Sequence, residues 1–313
     1  MYVADKDTVT KEYMQDEEVF ADAFNFLMYD GEQVIRPESL HPLDTIAIVM
    51  PYGDDNHTKP VQKYRDILKM VTAMEDGNAA YLLLGIENQS QVHYAMPVRN
   101  MLYDAIQYSN QVSSAAASHR KAENTGESNA EYLSGFHRSD KLLPVVTLVV
   151  YFGANEWDAP KSIHDMMLVQ DERILAYAPD YRINLIAPEE ISDSEFAKFH
   201  TGLSAVLKYI KYSRDKNKLN AVLSEDVSFR SVSRKTADVI NTVTGSNLRF
   251  KDGEEYVDMC KAIEDMRNDA VHEGAAEIAK NLLKIGKLTY EEIASMTGLT
   301  LEEVQALADE QIA

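Results

Sequence analysis

Two β-prone runs, Tyr64 to Met74 and Ala79 to Glu87, flank the tetrapeptide Glu75-Asp76-Gly77-Asn78. Asp-Gly supplies the positive-φ backbone that a two-residue hairpin turn needs, so the segment reads as an antiparallel hairpin. With Asp76 and Gly77 as the loop, Glu75 faces Asn78, Met74 faces Ala79 and Asp66 faces Glu87. The strand period of two then puts Glu87 and Gln89 on one face and Asn88 on the other, so Asp66, Glu87 and Gln89 converge. Two carboxylates directly opposed, with Cβ atoms about 5 Å apart, repel by roughly 3 kcal/mol at an effective dielectric of about 20. A divalent cation offsets that economically, since Mg²⁺ takes one or two carboxylates and leaves its other positions to water and phosphate oxygens. Gly85, on the same face, leaves room for a ligand. A longer loop would instead slip the register and leave both acids as solvated surface residues.

Around the hairpin, Lys11 to Tyr29 reads as a helix, with Phe20, Phe24, Leu27 and Met28 at helical spacing and Asp30-Gly31 ending it. Asp44 to Met50 is a short β-rich run. Pro97 opens a helix to about Ser118, because proline suits the first helical turn. Ser113 to Ser134 is small and polar, read as the end of that helix followed by a mobile loop. Leu142 to Tyr151 is a nearly unbroken apolar strand of the kind covered on both faces. Gly153 to Pro160 is a turn, and beyond about Ser192 the chain reads as helical. The order predicts an α/β sheet followed by a helical extension.

Composition narrows the function classes. At 313 residues the chain can bury a sizeable core, and its single cysteine, Cys260, excludes a disulfide framework or a zinc site built on several thiolates. The longest apolar run falls short of a membrane helix and the polar start lacks a signal peptide's apolar stretch, so the expected location is the cytoplasm. A net charge of −20 repels polyanions generally. From Leu207 to Lys251, however, ten basic residues stand against four acidic ones, a local charge of +6. Lys211 and Arg214 in this stretch are candidate contacts to a DNA backbone; otherwise it is a solvated helical face. There is no phosphate-binding loop, dinucleotide fingerprint or nucleophile elbow, so no nucleotide cofactor is expected.

With those residues in view, Asp66 on one strand and Glu87-Asn88-Gln89 on the next resemble the PD-(D/E)XK nuclease core, in the Glu-x-Gln version of the Rpn family of recombination-promoting nucleases and transposase-like proteins. Phe20-Ala21-Asp22-Ala23-Phe24-Asn25, Ile86 to Ser90, Met96-Pro97-Val98-Arg99 with Tyr103, and Leu143-Pro144-Val145-Val146 through Tyr151-Phe152-Gly153 to Trp157 are similar to that family in order and spacing. The likeness covers roughly residues 5 to 190. It implies a restriction-endonuclease-like fold, a mixed sheet flanked by helices, and Mg²⁺- or Mn²⁺-dependent hydrolysis of DNA phosphodiesters in recombination or mobile-element activity. By position, Asp66 and Glu87 would hold the metal. Gln89 stands where many superfamily members carry lysine; an amide can orient water but supplies no positive charge and takes no proton. A catalytically weak module that binds DNA or protein is the alternative.

Further candidates are Glu18, a helical acid that either approaches the metal or faces solvent, and Arg99 with Tyr103, which share a helical face where Arg99 either grips a phosphate or pairs with a carboxylate. Trp157 reads as core packing. The eight histidines show no metal-ligand spacing, and His93 reads as structural or exposed. Boundaries are expected near 195 and 260, giving a nuclease-like core (1–195), a basic helical region (196–260) and a helical tail (261–313). In the tail, Thr289 with Glu292 and Thr300 with Glu303 are capping boxes that frame a helix-turn-helix shape. That stretch is acidic, which favours protein interaction or a homo-oligomer over DNA.

Overall fold

The computed structural model describes residues 6–43, 46–49, 61–64, 66–75, 78–122, 128–251 and 253–312. They form helices α1 (Lys6–Gln15) and α2 (Glu17–Tyr29), strands β1 (Leu40–Pro42), β2 (Ile46–Val49), β3 (Val61–Tyr64), β4 (Ile67–Glu75) and β5 (Asn78–Gln89), and helices α3 (Met96–Lys121) and α4 (Asn129–Ser134). After β6 (Val145–Tyr151), α5 (Glu172–Leu175) and β7 (Asn184–Ile186) come α6 (Leu203–Tyr212), α7 (Lys216–Glu225), α8 (Arg234–Thr244), α9 (Met259–Ile285), α10 (Tyr290–Thr297) and α11 (Leu301–Ile312). Packing divides the chain into two units, Met1–Leu219 with Lys235–Ser246, and Asn220–Arg234 with Asn247–Ala313.

The first unit is built on a five-stranded mixed sheet in the order β1-β4-β5-β6-β7. The pairs β1/β4 and β4/β5 are antiparallel, whereas β5/β6 and β6/β7 are parallel. A parallel β5/β6 pair requires a long crossover, which α3 supplies. Helices lie on both faces: Lys69 of β4 donates to Gln15 O of α1 at 3.0 Å and sits over the Phe20 ring of α2, while Asp104 of α3 accepts from Thr147 of β6 at 2.5 Å. The burial of β6 follows, with Leu148, Val149 and Val150 fully enclosed.

The expected single N-terminal helix is two, because Asp16 leaves helical geometry to cap α2, its carboxylate accepting the Glu18 N–H at 3.1 Å. Phe20 and Phe24 on α2 are fully buried, each contributing about 1.5–3 kcal/mol. Asp30 and Gly31 end the helix with positive φ; a Cβ on Gly31 would meet Lys198 O at 2.7 Å, so only glycine fits there. Helix α3 starts beside Pro97 as expected but runs on to Lys121, and α4 occupies Asn129–Ser134 where a loop was expected; residues 123–127 between them lie outside the described residues. Trp157 is core, packed edge-on against Tyr151 with ring centroids 5.3 Å apart.

The second unit is helical. Ala279 of α9, Ile293 of α10, Leu299 in the turn that follows and Val304 of α11 form a buried cluster there. The Thr289–Glu292 capping box is present, and Thr300 and Glu303 exchange the same reciprocal bonds. Gly298, at φ +78°, makes the turn between the last two helices.

Among the described residues no helix is long and apolar enough to cross a membrane.

Candidate active site

The ladder between β4 and β5 runs from Ile67 opposite Ile86 to Glu75 opposite Asn78, the register that a two-residue loop dictates. The loop itself, Asp76-Gly77, lies outside the described residues. One position beyond the ladder, Asp66 stands beside Glu87 and its Oδ2 accepts the backbone N–H of Asn88 at 3.0 Å. Glu87 lies on the central strand, opposite Val149 of β6, and is fully buried.

A buried carboxylate needs a partner of opposite sign. Arg99, in the first turn of α3, supplies it: its Nη2 lies 3.0 Å from Glu87 Oε2. Its Nε donates to the Tyr103 hydroxyl at 3.1 Å. Burial alone would lower the arginine's pKa, but the Glu87 charge and the Tyr103 hydroxyl outweigh it and the pKa is raised. The Tyr103 phenol is pushed up as well, first by burial and then by Glu87. Of the two roles expected for Arg99, the structure shows the carboxylate pairing. The charge relief assigned to a cation on sequence grounds is thus supplied in part by the protein.

Helix α3 is held in place by polar ties along its length. Asp104 accepts from Thr147 and, at 2.6 Å, from Tyr181, while Gln111 exchanges two hydrogen bonds with the Leu143 backbone. These fix Arg99 over β5.

An open cleft of about 650 Å³ is lined by Asp66, Asn88, Gln89 and Arg99, by Lys6, Asp7 and Lys11 of α1, and by His93. Gln89 Nε2 donates to Asn88 O at 2.9 Å, which leaves the amide oxygen as the group it can present. Asp7 accepts from Ser90 Oγ at 2.7 Å. His93, expected to be structural or exposed, is on the cleft wall, with a buried Nδ1 that has no hydrogen-bond partner among the described residues. A second cleft of about 820 Å³ shares Lys6 and Ser90 to Val92 and includes Tyr94, Asp158 and Arg214.

Other expected site residues fall elsewhere. Glu18 is exposed at the start of α2, and among the described residues nothing brings it to Asp66 or Glu87. The acid α1 brings to the cleft is Asp7, while the buried acid of α2, Asp22, takes the backbone N–H groups of His200 and Thr201. Lys211 is mostly buried, donating to Ile191 O and lying 3.8 Å from Asp193, so it ties α6 to the preceding loop rather than facing a phosphate. Arg214 lines the second cleft and donates to Asn155. The basic stretch from Leu207 to Lys251 is shared between the two units, and Lys235 and Arg249 already face acids, Asp16 at 2.8 Å and Asp269 at 3.6 Å. Lys6 and Asp7 were not foreseen as cleft residues because the expected first helix began only at Lys11, and Lys11 itself carried no motif that singled it out. Chain folding also brings together His119, His137 and Asp140, a grouping with no local spacing signal in the sequence.

The profile of the family described as "Putative transposase, YhgA-like" matches residues 7–238. No curated protein and no solved structure matches the chain significantly.

Proposed function

The chain belongs to the YhgA-like (Rpn) transposase family, and from that premise we propose that it is a divalent-cation-dependent DNA endonuclease with a PD-(D/E)XK core. The observation that carries this reading is the hairpin register, which brings Asp66, on the wall of an open cleft, next to the buried Glu87. The donor set fits a hard cation such as Mg²⁺ or Mn²⁺, because Asp66, Glu87 and the Gln89 amide offer only oxygen. When bound, such an ion lowers the pKa of a water ligand and offsets charge on the pentavalent phosphate.

The chain's own residues do the rest. Asp66 and Glu87 would hold the ion, with Arg99 sharing Glu87 or turning to the scissile phosphate that the cleft admits. Gln89 orients a water through its amide oxygen but cannot take its proton. Lys6 and Lys11 on the cleft wall bring positive charge to a surface that is otherwise acidic, and Arg214 does so in the adjoining cleft. Action on DNA in recombination or mobile-element movement follows from the family.

A specific observation favours a second reading, a nuclease fold retained for binding: Arg99 pairs with Glu87 and the Gln89 amide is held by Asn88 O. Supercoiled plasmid with Mg²⁺, Mn²⁺ or chelator, beside a Glu87→Ala protein, separates the two. Metal-dependent nicking lost in the variant is expected. Equal cleavage by both proteins would remove the assigned site, and metal-independent DNA binding without turnover would establish the binding module.

A further inference from the structure

His119, in the last turn of α3, and His137 and Asp140, in the loop between α4 and β6, meet in the first unit. The imidazole rings stack with centroids 3.6 Å apart and planes 17° apart. His119 Nε2 lies 2.9 Å from Asp140 Oδ2, and the same oxygen accepts the His137 backbone N–H at 2.7 Å. One ligand atom from each of the three lies within 4.8 Å of the others. We propose that these residues form a binding site for a divalent transition-metal ion of the Zn²⁺ class, distinct from the oxygen-donor cleft.

Three features argue for it. The donor chemistry is two imidazoles and one carboxylate, which selects Zn²⁺-like ions and discriminates against Mg²⁺ and Ca²⁺. The carboxylate is oriented by a backbone N–H, the kind of outer support that metal-ligating acids have. The site is also half enclosed: His137 is buried, His119 and Asp140 are 21% and 17% exposed, and a cleft of about 570 Å³ lined by His137, Asp140 and Glu131 opens beside it. That leaves access for a water in a fourth position. Ligand atoms of a tetrahedral zinc lie about 3.4 Å apart, given bonds of about 2.0–2.1 Å, so closure takes side-chain rotations of about an ångström. The ion's structural effect is to clamp the end of α3 to the segment that leads into β6.

The test uses the full chain, free of any polyhistidine tag and stripped with chelator, titrated with Zn²⁺ against a chromophoric chelator while imidazole nitrogens are followed by NMR. One high-affinity Zn²⁺ per chain is expected, with His119 and His137 as the shifted imidazoles and no competition from millimolar Mg²⁺. Asp140→Asn keeps an acceptor for the His137 N–H, and His119→Gln keeps bulk. Each should weaken binding by more than the about 10–100-fold that loss of an outer partner costs. Shifts confined to other histidines such as the exposed His272, affinity unchanged in both variants, or no binding below millimolar Zn²⁺ would each overturn the site. The NMR assignment on the unmodified chain decides the matter even if a variant folds poorly.

Discussion

Helix α3 meets an acid near each of its ends. At its first turn Arg99 faces Glu87, whose place is set by a β-ladder and whose carboxylate is fully buried. In its last turn His119 faces Asp140, whose place is set by a loop and which keeps contact with solvent. The two ends differ in what holds the acid. The central strand fixes Glu87 in register with Val149 of β6, just past the end of its ladder with β4, so its charge must be answered wherever the folding leaves it. Asp140, in a loop, is held by one backbone N–H and one imidazole, an arrangement that side-chain rotation can adjust. The strand-held acid suits chemistry that needs a pre-set geometry, and the loop-held acid suits binding that adjusts to its ligand.

The largest effect that would break this comparison is expected at the strand end. Asp66→Asn keeps the acceptor for the Asn88 N–H but removes the charge a metal needs. Metal-dependent plasmid cleavage should fall by about a thousandfold, roughly 4 kcal/mol of transition-state stabilisation, while the folded structure persists. Single-turnover rates over a Mg²⁺ series read this directly. A rate within a factor of a few of the parent protein would mean that Asp66 is not a metal ligand.

Next in size is the guanidinium. Arg99→Met leaves the stem and removes the charge beside a fully buried carboxylate, and should cost about 3 kcal/mol in urea unfolding. Millimolar Mg²⁺ should recover part of that loss in the variant and less in the parent protein, because cation and guanidinium compete for Glu87. No Mg²⁺ dependence in either protein would dissociate Glu87 from any metal.

The contrast also explains what could be read from the sequence. Asp66 and Glu87 were legible because a hairpin with a two-residue turn has only one register, so local chemistry dictated a contact between positions 21 residues apart. The buried strand β6 and the crossover helix were legible from an apolar run and a proline. The pairing of Arg99 with Glu87 depends on how α3 lies on the sheet, which Asp104, Gln111 and Tyr181 determine through contacts that no periodicity encodes. Asp7 and the histidine group were illegible for the same reason. The break at Asp16 was hidden because the apolar spacing across it continues, although an acid followed by two glutamates and an apolar run is the signature of a helix start.

Asp16 joins the two modes and sharpens the comparison at the smallest scale. Its carboxylate caps α2 locally through the Glu18 N–H and reaches across the first unit to Lys235 at 2.8 Å. Burial pushes its pKa up, but Lys235 and the backbone N–H groups of Glu18 and Val19 more than offset that, and the pKa is lowered. A carboxyl with a lower pKa folded than unfolded stabilises the protein above the unfolded value, about 3.9, and that contribution is lost as pH falls through the folded value. Asp16→Ala should therefore cost about 1 kcal/mol at neutral pH, the usual worth of a cap, and the difference from the parent protein should shrink as the pH is taken toward the acid limb. Lys235→Met separates the two contributions: it keeps the cap and removes the long-range partner, so its acid limb should begin at a higher pH than the parent's. If chemical denaturation between neutral pH and the acid limb gives Lys235→Met and the parent protein the same pH dependence, the cap alone lowers the Asp16 pKa, and the acid belongs with the locally fixed class.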